Sequence, residues 1–493
     1  MDEVFVCGFN GFGQCDGFEV LLMPFLEDPE SDAARPLDIT VSDTTRYCPV
    51  NQAQLLKNSP TRKTNSDTTQ KCPVNRTQQL RDGESGQTTD PQECQHRELR
   101  KRKGSNCRKD DKMTDKNMCS LRSVCTFPEK SILLKNAEIT WARICVTLLK
   151  ITGAECEAMT HHTFLSGYSA STDGTSPLQL HLTDTVSLGS SHGDLLLQNG
   201  RRLLMLQEKS NDPVLSSIAG NSEAKEEKPE HPVNLELVSG TASNFVTCYD
   251  GISVGTLVPE NKTTSEGLTD NAMELRLVPV DSGLSVRHVS CGLEHTLLLT
   301  QHGGILSFGA GSRGQLGHGS LEGEQQPQMV AALEGLCCVS VAAGGWHSAA
   351  VSELGDLYMW GWNESGQLGL PSPGVQEDIC RRGQQQQQQG DHQQTHKPAS
   401  LHLWPVCVDV GFEEEDIVSV SCGTRHSAVL TCNGKAFTTG WNKYCQLGLP
   451  HPASVDHFTP VVFPSKQATV KQVWCGAWNS LFVVRNTVEE KCK

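Results

Sequence analysis

Val341-Ala-Ala-Gly-Gly-Trp-His-Ser348 and, twelve residues on, Trp360-Gly-Trp-Asn-Glu-Ser-Gly-Gln-Leu-Gly369 decide how this chain folds. The first element recurs as Val289-Ser-Cys-Gly-Leu-Glu-His-Thr296, Val420-Ser-Cys-Gly-Thr-Arg-His-Ser427 and Val473-Trp-Cys-Gly-Ala-Trp-Asn-Ser480. The second recurs as Phe308-Gly309 continuing to Gly314-Gln315-Leu316-Gly317, and as Thr439-Gly440 continuing to Cys445-Gln446-Leu447-Gly448. In each complete copy the Gly of Gly309, Gly361 or Gly440 lies 14 residues past its His: His295, His347 or His426. The period is 52 residues from His295 to His347 and 53 from His426 to Asn479. Between His347 and His426 it is 79, so an insertion of 27 lies there, marked by the run Gln384–Gln389.

Short apolar runs such as Thr296–Thr300 and Ala428–Leu430 follow each first element. A period of this length with short strands and Gly-marked turns means one four-stranded sheet per repeat. A single sheet cannot bury both of its faces, so neighbouring sheets must stack as blades around an axis. Trp360, Trp362 and Trp441 are expected to fill the space between blades. Glycine suits the turns because it tolerates positive φ and close backbone approach. A His that returns in every repeat reads as a structural residue bonding across its turn. His295, His347, His426, Gly309, Gly361, Gly440, Asn363, Gln315, Gln367 and Gln446 are therefore assigned to the framework.

The chain ends are halves of one repeat. Cys7-Gly-Phe-Asn-Gly-Phe-Gly-Gln14 matches Trp360–Gln367 at Gly, Asn, Gly and Gln, without a first element before it. Val473–Val484 carries the first element and its strand, without a second. Joined, they make one blade, so the N-terminal strand is expected to close the ring by completing the last sheet.

These residues resemble the regulator-of-chromosome-condensation repeat family, over residues 286–485 and again over 4–15. The resemblance implies an all-β, seven-bladed propeller. Seven repeats need about 360 residues, leaving roughly 130 for long disordered insertions. The expected layout is a closing strand (1–20), a divergent propeller segment (21–41) and a low-complexity insertion (42–125). Divergent blades (126–285), clear repeats (286–485) with a polar insertion (374–400), and a tail (486–493) follow. Strand-like runs in or beside the divergent part include 139–149, 203–206 and 286–290. The stretch 42–125 holds a tandem copy: Ser42–Asn51 returns as Ser66–Asn75.

Composition limits the functional classes. The formal charge is −15, which removes a broad basic footprint for nucleic acid and argues against direct DNA binding. An acidic surface suits solubility and basic protein partners. The 21 cysteines are odd in number and lack a framework spacing, which fits buried free thiols in a reducing compartment. No Cys-x-x-Cys pair or P-loop occurs, so no catalytic group, metal or cofactor is expected. Gly309–Gly314 contains a Gly-x-Gly-x-x-Gly, but it coincides with the repeat's own glycines and follows no βαβ unit. His192-Gly-Asp194 has two residues of an iron-binding triad and no recognisable third. No signal peptide or clean apolar span is visible, so the protein is expected to be soluble and intracellular, with no membrane partner. Arg97, Arg100, Lys101, Arg102 and Lys103 form a basic cluster that reads equally as a nuclear-import address or a solvated linker.

The residue before each repeated His is Glu294, Trp346, Arg425 or Trp478. Equivalent positions of a propeller lie on one ring, and two Trp with an Arg have hot-spot composition. That ring is a candidate partner contact; the competing reading packs both Trp between blades. The resemblance implies a non-catalytic scaffold in the nucleus and on the chromosome, or in the cytoplasm as well. Its implied partners are a Jumonji-C oxygenase and histone, in histone methylation and chromosome segregation. The alternative it implies is nucleotide exchange on a Ran-like small GTPase.

Overall fold

The computed structural model describes residues 2–9, 121–127, 132–140, 143–152, 158–169, 176–190, 194–199, 202–206, 214–216, 218–219, 235–241, 245–249, 253–263, 269–278, 285–381, 398–411 and 415–486. They form a seven-bladed β-propeller of antiparallel sheets. Each blade runs outward from an inner strand to an outer one. Blade 4 shows the plan: Val286–Cys291, His295–Thr300, Ile305–Gly309, Glu324–Met329. Blade 5 is Cys338–Ala343, His347–Ser352, Leu357–Trp362 and Leu401–Val408. Blade 6 is Ile417–Cys422, His426–Thr431, Ala436–Gly440 and Val455–Pro460.

The segment 126–285 holds the three remaining complete sheets. Blade 1 spans four strands from Ile132–Ile139 to Ser176–Thr183, and blade 2 four from Thr185–Ser190 to Val214–Ser216. Blade 3 spans Leu235–Gly240 to Thr269–Val278, with Ile218–Ala219 added in parallel at its outer edge. The run 139–149 is not one strand. Ile139 ends the inner strand of blade 1 and Arg143 begins the second, joined by a hairpin.

The closing sheet, blade 7, takes its inner strands, Ala468–Cys475 and Asn479–Asn486, from the C-terminus. Asp2–Gly8 adds as the third strand, in register from Asp2 opposite Arg485 to Gly8 opposite Asn479. Arg485 clamps that register with two hydrogen bonds to the Asp2 carboxylate, 2.7 and 2.9 Å. The outer strand, Arg122–Phe127, comes from the far side of the long insertion. The low-complexity stretch expected to run to residue 125 therefore stops short of Arg122, because Val124 is buried in the sheet's core. The segment 21–41, the tandem copy, the basic cluster, the glutamine run and the tail 487–493 lie outside the described residues. Of the polar insertion 374–400, the first residues form a helix, Pro373–Arg381.

Side chains alternate along each strand between two seams rather than between core and water. In the second strand of blade 5, Ala350 packs with Leu297, Leu299 and Trp360 at the seam with blade 4. Ala349 and Val351 pack with Val429 and Phe437 at the seam with blade 6. Both faces are dry, so every residue of that strand is buried, and its middle, Ala349, Ala350 and Val351, is apolar without alternation. Glycine is required where strands turn over these seams. Gly361 has φ +99°, and a Cβ there would stand 2.7 Å from the Trp346 carbonyl.

Candidate partner-binding face

Antiparallel order sends the turn after each inner strand and the loop after each third strand to the same face. The repeated motifs build that face from beneath. His295 Nε2 lies 2.8 Å from Ser348 Oγ of the next blade, and Ser348 Oγ donates to the Gln315 carbonyl at 2.7 Å. The relay repeats as His347–Ser427–Gln367 and His426–Ser480–Gln446. Because each Ser proton is committed to a carbonyl, each His donates from Nε2, and its Nδ1 is buried without a hydrogen-bond partner, so a second proton there would be unsatisfied and the ring stays neutral. Burial pushes His295 and His347 down to about 3 and His426 to about 4. Each Gln side-chain oxygen takes an amide N–H of its own turn, from Arg313, Ser365 or Tyr444. Asn363 is fully buried and donates to the carbonyls of Leu370 and Ala399, closing the neck of the insertion.

Asn479 breaks the pattern for a reason visible in its neighbour. Blade 1 presents Ile144 where the three seams with the relay present a Ser hydroxyl, so a His would have no acceptor. Asn479 instead donates to the Phe9 carbonyl at 2.5 Å and fastens the N-terminal strand. In blade 1 the hairpin bond from Thr140 N to Arg143 O matches that from Gly292 N to His295 O. Arg143 thus occupies the repeated-His position, buried, with a guanidinium N–H on the Leu206 carbonyl at 3.4 Å. Register likewise puts Asp194 at that position in blade 2. Its role is a blade position, and His192 lies outside the described residues.

The inner-strand ends of all seven blades, among them Ile139, Ser190, Gly240, Cys291, Ala343, Cys422 and Cys475, surround an axial cavity of about 130 Å³. Burial pushes the thiols of Cys291 and Cys475 up to about 11 and about 12, and that of Cys422 higher still. They stay protonated and are poor nucleophiles. Most cysteines among the described residues are free, as expected from the sequence; Cys445 is disulfide-bonded.

The ring before the histidines does not stand in solvent as a whole. Glu294 is exposed, but Trp346 and Trp478 are only 7% and 4% exposed. They are covered by residues from the loops after the third strands. Trp362 packs edge-on against Trp346, with centroids 5.5 Å apart. Trp441 packs on Trp478 at 5.0 Å, and Tyr444 on Trp441 at 5.2 Å and on Phe9 at 4.9 Å. The Arg313 guanidinium lies 4.4 Å from the Trp346 centroid and 4.7 Å from that of Trp362, and Arg425 lies 4.7 Å from Trp362. The Glu294 carboxylate accepts the Trp346 indole N–H at 3.0 Å. Of the three Trp expected between blades, only Trp360 is there, fully buried with its indole N–H on the Gln315 carbonyl. Trp362 is the last residue of its strand and Trp441 follows the last of its own, where the chain leaves the sheet, and both emerge half-buried on the face. A belt of aromatic and cationic side chains thus crosses blades 4 to 7. Spacing marked its inner layer only.

Residues 302–351, 355–430 and 433–483 match the regulator of chromosome condensation (RCC1) repeat, and a second pattern of that repeat matches 286–315, 338–367 and 417–446. The Arabidopsis thaliana ultraviolet-B receptor UVR8 is 31% identical over 342 residues, 62% of this chain and 75% of that protein. The chain belongs to the RCC1-repeat family. Human RCC1 domain-containing protein 1 is 43% identical over 215 residues, 41% of this chain and 57% of that protein. The chain thus matches little more than half the length of that relative. Human WBSCR16 shares the fold, with a TM-score of 0.53 at 15% identity over 75% of this chain and 90% of that one. Within the RCC1-repeat plan, blades 4 to 7 carry the repeat matches and the belt together. Among the described residues no helix is long and apolar enough to cross a membrane.

Proposed function

We propose that this RCC1-repeat propeller is a non-catalytic adaptor that holds a protein partner on the belt face of blades 4 to 7. One observation carries the reading: side chains from four blades, remote in sequence, converge there as half-buried aromatics and guanidiniums. Such groups dominate protein–protein hot spots because they offer large rigid area and charge-assisted donors at low entropic cost. The titratable groups beneath the face are spent on structure: the histidines are neutral relays and the cavity thiols are protonated. The His–Ser contacts of the relays are not arranged as nucleophile and base, because each His donates to its Ser and the Ser proton goes on to a carbonyl.

Likeness to human RCC1 domain-containing protein 1 over the motif blades supports a partner of the class its family resemblance implies. That partner is a Jumonji-C oxygenase, with histone as the shared target, in the nucleus and on chromosomes. The propeller would position the oxygenase or a histone tail without supplying a reacting group.

The test is affinity capture from nuclear extract with the full chain and with Trp362→Ala/Trp441→Ala. The expected result is co-purification of a Jumonji-C oxygenase with the wild type and its loss, with folding intact, in the variant. Robust acceleration of nucleotide release from a Ran-like GTPase by the wild type would replace this reading with the exchange-factor alternative.

A further inference from the structure

Resting on the belt face as the contact surface, we propose that the axial cavity at its centre takes one unmethylated lysine side chain from the segment the partner lays across that face. The cavity begins where the ring before the histidines ends. Leu293, Gly345, Thr424 and Ala477 line it, and each is followed directly by Glu294, Trp346, Arg425 or Trp478. Its volume, about 130 Å³, is close to the roughly 150 Å³ of an engineered protein cavity that holds benzene. That is room for one side chain. A drug-sized ligand or cofactor takes about 300 Å³ or more.

The wall of the cavity is short of donors. The amide N–H groups of Gly292, Gly344, Gly423 and Gly476 bond the carbonyls of His295, His347, His426 and Asn479 behind them. Those of Leu293 and Gly345 bond carbonyls of the next blade. The thiols of Cys422 and Cys475 lie 3.7 and 3.8 Å from the Ser427 and Ser480 hydroxyls of their own blades. No described residue that lines the cavity is charged or aromatic. Behind the wall stands one carboxyl. Ser190, which lines the cavity, donates its hydroxyl to Glu138 at 2.7 Å, and Asn136 donates to the same carboxyl at 3.3 Å. Both donors are neutral, burial pushes the carboxyl up, and no charge contributes to that shift. Arg143, the buried cation of that blade, bonds the Leu206 carbonyl instead. An ammonium in the cavity can donate to Ser190 Oγ, whose own proton is already on Glu138, and its charge favours the ionised acid.

Donor geometry selects among cations. An ammonium is compact, carries three donors on a flexible apolar stem and suits a narrow axial space. A guanidinium wants a flat bidentate acceptor, and Ser190 offers a single oxygen. A trimethylammonium has no N–H and is held by aromatic faces, which the lining lacks. The formal charge of −15 favours the approach of a basic segment. At the rim, Glu294 and Arg425 carry opposite signs and are engaged with Trp346 and Trp362. Taking an ammonium out of water is costly, so binding must depend on Glu138.

Saturation-transfer NMR with the full chain tests this on a short, otherwise neutral peptide that carries one Lys. The same peptide with trimethyl-Lys, Arg or Met in that place gives the comparisons. The Lys peptide should bind, and each replacement should weaken binding about fivefold or more. Glu138→Gln, which keeps an acceptor for Ser190, should weaken the Lys peptide about tenfold. Ala477→Leu, which fills the mouth and leaves Glu138 untouched, should abolish its binding. Thermal unfolding checks that both variants fold, and the peptide comparisons on the wild type stand without them. Absence of Lys-peptide binding, equal binding of any replacement, or Lys binding that neither folded variant reduces would overturn the proposal. The adaptor reading fails separately, if Trp362→Ala/Trp441→Ala leaves nuclear capture unchanged. Loss of capture in that variant, with no Lys-peptide binding to the wild type, sinks only the lysine assignment.

Discussion

The seams between blades 4, 5, 6 and 7 and the seam between blades 7 and 1 do the same job with different chemistry. The first three use one relay, in which a neutral His donates to a Ser that donates to a Gln carbonyl. At the fourth, Val4, Val6, Leu481 and Val483 pack on Ile144, Val146 and Leu148, and Asn479 turns to the Phe9 carbonyl. A ring requires every seam to be dry and most of its buried polar groups to be matched; it does not require one solution. The repeated solution is legible as a motif, whereas the single-use ones are not.

The sharpest way to break this comparison is acid. His295, His347 and His426 stay neutral in the fold, at about 3, 3 and 4, whereas in the unfolded chain they take the ordinary value of 6.5. The unfolded chain therefore binds more protons between these limits. Stability from these groups is complete above pH 6.5 and is lost as pH falls toward 3–4. At pH 5 the loss should be about 2 kcal/mol per His, about 6 kcal/mol for three. Denaturant unfolding at pH 7 and pH 5 measures it. His347→Asn, which copies the closing seam, should remove about a third of that difference; an undiminished difference would show that the relay is not neutral.

Next in size is the glycine before the His. A Cβ on Gly344 would lie 2.2 Å from His347 Cε1 and 2.6 Å from the Gly423 carbonyl. Gly344→Ala should cost about 1–3 kcal/mol through overpacking. Blade 1 already carries Thr140 at this position, its hydroxyl accepting the Arg143 N–H at 3.1 Å. Thr140→Ala should cost only about 1 kcal/mol, the worth of one hydrogen bond. Thermal unfolding of both variants compares them; equal costs would mean that the His ring does not dictate the glycine.

The smallest effect tests the exception. Asn479→His restores the motif but faces Ile144 and abandons the Phe9 carbonyl. It should destabilise by about 1 kcal/mol, and adding Ile144→Ser should recover part of that loss. Stabilisation by Asn479→His alone, in the same unfolding assay, would show that Ile144 is not what excludes His.

Much of the ring was readable because its parts are local. His295, Gly309 and Gln315 sit within one repeat, and the split of that repeat between Cys7–Gln14 and Val473–Val484 announced the closing sheet. The outer strand Arg122–Phe127 was missed because it follows a long excursion and carries no motif. Arg143 and Asp194 hid their position because nothing about Arg or Asp suggests a repeated His; only strand register aligns them. The two-sided burial of blade strands also erases the polar alternation that would betray divergent blades. At the face, residue type pointed to Trp346 and Trp478, while the residues that meet solvent, Trp362 and Trp441, passed for interior.

By itself the sequence determined the repeat, the turns that glycine must make, and the circular join of the two ends, because each depends on neighbours within one blade. The tertiary structure alone decided that Arg313 stacks on Trp346 and that Trp441 covers Trp478. Those contacts cross seams, and which side chains meet across a seam depends on how blades pack around the axis. No spacing along the chain encodes that geometry.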